Sequence, residues 1–360
     1  MEVFGEDTKC NRFMGNIPPL NLGGHSVNLL DNYLVIAATN IDSNGWWYHS
    51  LEDARGGLLA NPWKHTKTLG NDAPIHHVSF VYGKDLILLG GTKGTQVALQ
   101  NGREENGEWN ALRLTLKKDG SNFDQIMQDA CVVKVSRDTF FVIGGRESSD
   151  GPAQSTVYSI NMKEQNVREI GSLIHPRARH ACAIIPGPSK DFNNKQILVT
   201  GGSTHEDEIF DVTLRSSRLL TNSMNIPRIK HRLVTLGQKV FALGGRRDDS
   251  DDSTLGDVEV FDADSESWSL HSSKLLSKST DDLALTELPS SAVSCTKDCQ
   301  CGVKSGARIV GGEEAQVTGT KGWVFPSENF CSRLPPIPGW ASCSLPVKPT
   351  FLRLNVQQHW

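Results

Sequence analysis

Four histidines stand at matching places along the chain, and their chemistry is the first to explain. His25, His77, His180 and His231 each begin a short apolar segment. Imidazole nitrogens are common metal ligands, so a ring of such histidines could bind a metal ion. A metal site would also need carboxylate or further imidazole ligands close by. We therefore interpret each histidine as the partner of a neighbouring backbone group, and we predict neither a metal nor a cofactor.

The chain has eight cysteines, five of them after residue 290. Their spacing lacks the paired ligands of a zinc site, which favours disulfides among Cys295, Cys299, Cys301 and Cys331. Cys131 and Cys182 lie in short apolar segments that predict buried strands, and both are predicted to be buried thiols. The clustering of cysteines favours an extracellular setting, although residues 1–7 lack the pattern of a signal peptide. We therefore expect that a natural N-terminal segment precedes Met1.

The segments that position the recurrent histidines are short apolar runs, each ending in a pair of small residues. Glycine pairs close four runs, at 90–91, 144–145, 201–202 and 244–245, and Ala37-Ala38 closes a fifth. The first small residues are 53, 54, 57 and 43 residues apart. Each continuous apolar run predicts a strand buried on both faces. The glycine pair allows a sharp turn in a crowded place, because glycine accepts positive φ.

Each repeat unit carries more than its glycines. A strand led by a histidine precedes the glycine pair, and an outer hairpin follows it, closed by tryptophan at Trp63, Trp109 and Trp268. Strand, glycine pair, hairpin and aromatic ring together resemble the kelch repeat. The resemblance implies an all-β fold, a six-bladed kelch-type β-propeller over residues 1–293. Five complete units cover 24–73, 74–126, 127–177, 178–228 and 229–278.

The sixth blade of this prediction is composite. Residues 2–7 resemble residues 259–264, so we expect the chain to begin partway through a blade. Residues 282–289 supply one more strand at the other end. Pairing strands from both ends in one blade closes the ring and removes exposed sheet edges.

Composition excludes several other classes of protein. The apolar fraction of 38% and the charged fraction of 22% are typical of a globular protein. The net charge of −4 and the dispersed Lys and Arg residues give no basic patch for nucleic acid. No apolar stretch is long enough to predict a membrane-spanning helix.

Past the propeller, the run Arg308-Ile309-Val310-Gly311-Gly312 follows Cys301. It resembles the activation junction of trypsin-like serine proteases. The resemblance implies that Arg308 is cleaved by an activating trypsin-like protease and that Ile309 becomes a new N-terminus. It divides the tail into a Cys-rich linker and activation peptide (294–308) and the start of a trypsin-like domain (309–332). Cleavage of this kind implies a secreted parent protein.

The likeness then stops. Residues 333–360 have three prolines among their first six residues and show no periodicity, so we predict disorder or a changed reading frame there. The chain has no Gly-Asp-Ser-Gly-Gly motif and no histidine in the context of a general base, so catalytic residues are lacking. We predict that this chain is not an enzyme.

Charged residues just past the glycine pairs are the candidates for recognition. Loops on a rigid scaffold often carry binding residues, and equivalent loops should emerge on one face of the disc. The candidates are Lys93, Arg146, His205, Arg246 and Arg247. We predict that this face binds a protein partner. The alternative is a fragment of a serine endopeptidase zymogen whose propeller directs it to its substrate.

Overall fold

Antiparallel β-strands build most of the described part of the protein, as seen in a computed structural model. It describes residues 24–31, 33–40, 43–50, 63–66, 76–91, 95–101, 109–125, 127–148, 150–186, 195–236, 239–248, 250, 254–271, 284–289, 305–310 and 322–326. The described residues contain 25 strands and no α-helix. No helix in these ranges is long and apolar enough to cross a membrane.

Twenty of the strands form five four-stranded antiparallel blades. Blade 1 contains β1 (Ser26–Leu30), β2 (Tyr33–Asn40), β3 (Ser43–Ser50) and β4 (Lys64–Thr66). Blade 2 contains β5 (His77–Tyr82), β6 (Asp85–Gly90), β7 (Thr95–Asn101) and β8 (Trp109–Arg113). Blade 3 contains β11 (Cys131–Lys134), β12 (Thr139–Ile143), β13 (Gln154–Asn161) and β14 (Asn166–Arg177), with the short strands β9 (Lys117–Lys118) and β10 (Ser121–Asn122) at its outer edge. Blade 4 contains β15 (Ala181–Pro186), β16 (Lys195–Thr200), β17 (Glu208–Asp211) and β18 (Ser216–Leu219). Blade 5 contains β19 (Arg232–Leu236), β20 (Lys239–Leu243), β21 (Glu259–Asp262) and β22 (Ser267–Leu270).

The blades are arranged as a β-propeller. The innermost strands β1, β5, β11, β15 and β19 lie side by side in chain order. The five complete repeat units predicted from the sequence are these five blades. The prediction of six blades, one of them composite, is wrong.

The remaining sector is built differently from the predicted composite blade. It holds a three-stranded sheet of β23 (Ala284–Pro289), β24 (Ser305–Val310) and β25 (Gly322–Pro326). Strand β23 lies beside both β19 and β1, where an inner strand belongs. It pairs with β24, which spans the predicted boundary between the activation peptide and the start of the trypsin-like domain, whereas the composite blade required N-terminal strands. The predicted partners at 2–7 and the predicted tail at 333–360 lie outside the described residues.

The core consists of apolar layers between neighbouring blades, and the second strand of each blade contributes to two of them. In β12, Phe140 and Val142 pack towards blade 2, while Phe141 and Ile143 pack towards blade 4. The rings of Phe80 and Phe140 stack across the first of these layers, with their centroids 4.0 Å apart. This double burial explains why each second strand is a continuous apolar run.

Glycine is required at the end of these strands because the next blade comes so close. A Cβ added at Gly201 would lie 2.2 Å from the carbonyl oxygen of Arg228. Gly201 also has a φ of +61°, which favours glycine. The neighbouring Gly202 donates its N–H to the same oxygen at 2.9 Å. The glycine pair therefore sets how closely blade 4 approaches the segment that enters blade 5.

Arg177 joins blades 3 and 4 at an equivalent place. Its carbonyl oxygen accepts a hydrogen bond from Gly145 N of blade 3 at 2.7 Å. Its side chain crosses into blade 4, where Nη1 donates to the Gly201 carbonyl (2.9 Å) and Nη2 donates to Glu208 Oε1 (2.8 Å). Both Arg177 and Glu208 are fully buried. The Glu208 carboxylate also accepts the backbone N–H groups of Ile174 and His175.

The same arrangement recurs one blade later. The Arg228 carbonyl oxygen accepts the hydrogen bond from Gly202 N of blade 4, and the Arg228 side chain crosses into blade 5. There Nη1 donates to the Gly244 carbonyl (2.9 Å) and Nη2 to Glu259 Oε1 (3.4 Å). Arg228 and Glu259 are also fully buried. Each arginine thus holds one blade through its backbone and the next through its guanidinium group.

Replacing Arg177 should destabilise the fold strongly. Arg177→Met leaves the Glu208 carboxylate buried without its cation, which costs about 3–5 kcal/mol in the free energy of unfolding. Urea denaturation followed by tryptophan fluorescence measures this loss. Arg177→Met/Glu208→Gln should recover part of it, because a glutamine oxygen still accepts the backbone N–H groups.

The matched control is Arg218→Met. Arg218 pairs with Glu266 at the surface, where the side chains are 46% and 36% exposed. An exposed ion pair contributes less than about 1 kcal/mol. Equal losses for Arg177→Met and Arg218→Met would show that the buried pair does not hold the blades together.

Candidate binding face and central channel

One end of the propeller, here called the binding face, carries the loops that follow the glycine pairs. Arg146 and Arg246 come directly after two of these pairs and have the same backbone environment. Each forms isolated bridges to the segment entering its own blade and to the start of the hairpin that follows: Gln128 and Ala153 for Arg146, Ile229 and Thr254 for Arg246. Their backbones are therefore held from two sides.

A belt of backbone hydrogen bonds encircles the mouth of the channel on this face. One residue ahead of each blade donates its N–H to the carbonyl of the equivalent residue ahead of the previous blade. The bonds run from His76 to Gly24 (3.1 Å), Asp129 to His76 (3.2 Å), Arg179 to Asp129 (2.9 Å) and Lys230 to Arg179 (2.8 Å). All five residues have positive φ, between 54° and 61°. The belt fixes the relative positions of the five blade entries.

Asp129 lies among three basic side chains on the binding face, and together with His76, Arg146 and Arg179 it forms what is here called the Asp129 cluster. Its carboxylate lies 3.1 Å from His76 Nδ1 and 3.4 Å from the Nε atoms of both Arg146 and Arg179. Burial alone would raise the pKa of Asp129. The hydrogen bond from His76 and the charges of His76, Arg179 and Arg146 outweigh burial and lower the pKa below its ordinary value. One carboxylate therefore orients three cationic or potentially cationic side chains.

The other predicted binding residues differ in their surroundings. His205 and Arg247 are exposed on the loops of blades 4 and 5. Within the described chain, Arg247 makes no hydrogen bond or ion pair. Beside His205, the exposed Glu206 forms an ion pair with His175 Nε2 at 2.7 Å. Lys93 lies outside the described residues. The structure thus brings Arg146 into the Asp129 cluster and leaves His205 and Arg247 on neighbouring loops of the same face.

Sequence reasoning missed three members of the Asp129 cluster. His76, Asp129 and Arg179 precede the inner strands, whereas the prediction considered only the loops after the glycine pairs. A signal was present in the spacing. His76 lies one residue before β5, and Asp129 and Arg179 lie two residues before β11 and β15. They therefore recur with the repeat.

Behind the face, the inner strands surround a central channel with a cavity of about 210 Å³. Blades 1 and 2 supply polar side chains. A hydrogen bond joins Ser26 Oγ and His77 Nε2 (2.8 Å), and Asn28 Nδ2 donates to Ser79 Oγ (2.9 Å). Blades 3 and 4 contribute Cys131 and Cys182, and blade 5 contributes Arg232.

The recurrent histidines are packed into the blade entries. His25, His180 and His231 are buried, and His231 Nε2 is hydrogen-bonded to Thr200 Oγ1 at 2.8 Å. Burial, reinforced by the charge of Arg177, lowers the pKa of His180 to about 3. Burial and the charge of Arg228 lower that of His231 well below its ordinary value. Both imidazoles are therefore neutral at physiological pH. The described residues contain no group of three metal-ligating side chains.

Cys131 and Cys182 form a disulfide, so the prediction of two buried thiols is wrong. Their Cα atoms are 6.0 Å apart, and the bond links the inner strands of blades 3 and 4. The sequence prediction placed them at equivalent positions. The pairing of Cys131 with Ile143 and of Cys182 with Val199 shows that they differ by one residue in register. Their separation of 51 residues, about one repeat, was the available signal for cysteines on adjacent strands.

The residues of the activation-like motif lie within a sheet. Arg308 and Ile309 are in β24, paired with Thr286 and Leu285 on one side and with Val324 and Trp323 on the other. The four predicted disulfide cysteines of the tail, Cys295, Cys299, Cys301 and Cys331, are outside the described residues.

Comparison with known proteins adds no relative. No protein-family model matches the chain, and no curated protein matches it.

Asp207 closes the blade 4 loop that carries His205. Its carboxylate accepts the backbone N–H of Met224 at 2.8 Å, and its own N–H donates to Ser223 Oγ at 2.8 Å. Burial raises the pKa of Asp207 to about 7, although the hydrogen bond from Met224 opposes this change. The loop is therefore held by a carboxyl group that is neutral in mildly acidic solution.

The raised pKa predicts a dependence of stability on pH. A carboxyl whose pKa is higher in the folded state stabilises the fold fully below its unfolded pKa of about 4, and this is lost as pH rises through about 7. Asp207→Asn should remove this loss. Its advantage in free energy of unfolding should therefore grow between about pH 4 and pH 7, by at most about 1.4 kcal/mol for each pH unit in that interval. Urea denaturation at several pH values measures the difference. The exposed Asp150→Asn is the control, and an advantage that is constant with pH would contradict the assignment.

Proposed function

We propose that this chain is a protein-recognition β-propeller of the kelch type, derived from a secreted mosaic protein. The observation that carries the proposal is the Asp129 cluster on the binding face. Three side chains that can bear positive charge are held by one carboxylate, on backbone fixed by the belt of hydrogen bonds. Pre-positioned side chains lose little conformational freedom on binding, which favours specific recognition.

A protein is the partner that suits this face. Basic residues such as Arg247 lie among exposed acidic ones, including Glu147, Asp150 and Asp248. A surface with both signs of charge selects a partner with a complementary pattern and discriminates against others. The described part of this face offers no continuous basic surface for a nucleic-acid backbone.

The close approach of blades supports the assignment to the kelch type. The glycine pairs meet the carbonyl of an arginine that enters the next blade, and a buried glutamate on the third strand receives the same arginine. Glycine is needed at these places because a Cβ would collide with that carbonyl oxygen. The Cys131–Cys182 disulfide supports the secreted origin, because disulfides persist in oxidising compartments.

The binding face can be tested by charge reversal. Arg246→Glu/Arg247→Glu should weaken binding roughly tenfold or more, because opposed charges become like charges at the interface. Partner proteins are first captured from extracellular fluid by the full chain with a photo-crosslinking residue in place of the exposed Ser148 on the same face, so that Arg246 and Arg247 are retained. Affinity is then measured by surface plasmon resonance.

The control reverses two charges on the opposite face. Arg137 and Lys163 are exposed in turns at the far ends of the blades. Arg137→Glu/Lys163→Glu should leave affinity unchanged. Equal affinity of wild type and the Arg246→Glu/Arg247→Glu variant would refute the proposed face.

The second candidate is a fragment of a trypsin-like zymogen, favoured by the motif around Arg308. We propose instead that the activation site is vestigial and that the chain has no protease activity. Two observations support this: the sequence lacks a catalytic triad, and Arg308 lies in the central strand of a sheet. A protease binds its substrate as an extended, unpaired segment. Strand β24 is paired on both sides, so it would have to leave the sheet before the bond after Arg308 could be cleaved.

An activation experiment distinguishes the two candidates. The protein is treated with immobilised trypsin, the beads are removed, and hydrolysis of an arginine ester is followed. We expect no turnover above a mock-treated sample, because no nucleophile or general base is present. Trypsinogen treated in parallel is the positive control. Turnover that increases with cleavage after Arg308 would favour the zymogen fragment.

A further inference from the structure

Arg232 places a positive charge in the wall of the central channel. It is the first residue of β19 and pairs with Leu243, the residue before a glycine pair. Arg232 directly follows the recurrent His231, and the residues that follow His25, His77, His180 and their counterpart Ala130 in blades 1 to 4 are uncharged: Ser26, Val78, Ala181 and Cys131. Among the five blades described, only blade 5 carries a charge at this level of the channel.

The guanidinium of Arg232 has almost no internal partner. In the part of the chain that the structure describes, its single hydrogen bond runs from Nη1 to the carbonyl of the adjacent His231, at 3.3 Å. It makes no ion pair there, in contrast to Arg177 and Arg228, each of which binds a buried glutamate. An arginine has five N–H donors, so most of the donors of Arg232 are available to a ligand.

The described wall around Arg232 is suited to an anion. It contains no Asp or Glu. Blades 1 and 2 present hydroxyl and amide groups at Ser26, Asn28 and Ser79. Such groups donate hydrogen bonds to an oxyanion without adding charge.

His180 provides a second observation on the neighbouring strand β15. Its side chain lines the cavity but is only 2% exposed. The ring interacts with the backbone of Ile143, but neither ring nitrogen makes a hydrogen bond of standard geometry among the described residues. A buried polar group without a partner is costly, and one bound ligand or ordered water would relieve that cost. The neutral imidazole carries one N–H donor.

We infer that the central channel binds a small oxyanion, such as phosphate or a carboxylate, with Arg232 as its counter-ion. The cavity of about 210 Å³ has room for such an ion with part of its hydration shell. Planar guanidinium groups bind both kinds of oxyanion through paired hydrogen bonds. The channel lies behind the binding face, so this site is independent of the proposed protein partner.

Calorimetric titration of the full chain tests the inference. Inorganic phosphate and acetate are titrated separately at constant ionic strength, with chloride as the reference ion. We expect saturable binding of at least one of them, weakened roughly ten- to hundredfold by Arg232→Met through loss of charge-assisted hydrogen bonds. Arg232→Lys should retain part of the affinity. Arg137→Met, which removes an exposed arginine on the opposite face of the propeller, is the matched control.

A chemical experiment on the unaltered protein covers the case in which Arg232→Met does not fold. Arginines are modified with phenylglyoxal and quantified by mass spectrometry with and without phosphate or acetate. The ion that binds should protect Arg232 and leave the modification of the exposed Arg137 unchanged. Absence of saturable binding, undiminished binding by Arg232→Met, or equal protection of both arginines would overturn the inference.

Discussion

The propeller depends on arginines that each belong to two blades at once. Arg177 and Arg228 bind one blade through their carbonyl oxygens and the next through guanidinium groups paired with buried glutamates. Burying such a pair is costly unless every donor and acceptor is satisfied. Here the glycine carbonyls accept hydrogen bonds from the guanidinium groups, and backbone N–H groups donate to the glutamate carboxylates. Most of the donors and acceptors of both partners are therefore satisfied. The geometry therefore tolerates little variation, and the distance between blades follows from it.

Much of the fold could be predicted because the constraint on each second strand is local. A run such as Phe140–Ile143 must be apolar throughout, since its alternate residues enter two different layers. The glycine pair must follow, since a side chain would collide with the next blade entry. The sixth sector could not be predicted in this way. Strand β24 follows no glycine pair and carries no repeat signal, and only its pairing with β23 and β25 assigns it to the sheet.

The candidate site was predictable only in part, because its residues come from two segments of each repeat. The position of Arg146 follows from counting past a glycine pair. Its partner Asp129 precedes the inner strand, and their contact depends on the bridge between Arg146 and Gln128. The Cys131–Cys182 bond depends similarly on a one-residue difference in register between strands of different blades. Such pairings are tertiary, and sequence spacing alone does not determine them.

Comparison among the blades separates residues that the fold requires from those that it leaves free. The glycine pairs and the arginine–glutamate pairs recur because steric fit and buried charge demand them. The position held by Arg232 is different, since serine, valine, cysteine and alanine occupy it in the other four blades. Packing between blades does not select among such unlike side chains. A charged residue at a position without a packing requirement, and without an ion-pair partner among the described residues, is best explained by something that enters the channel.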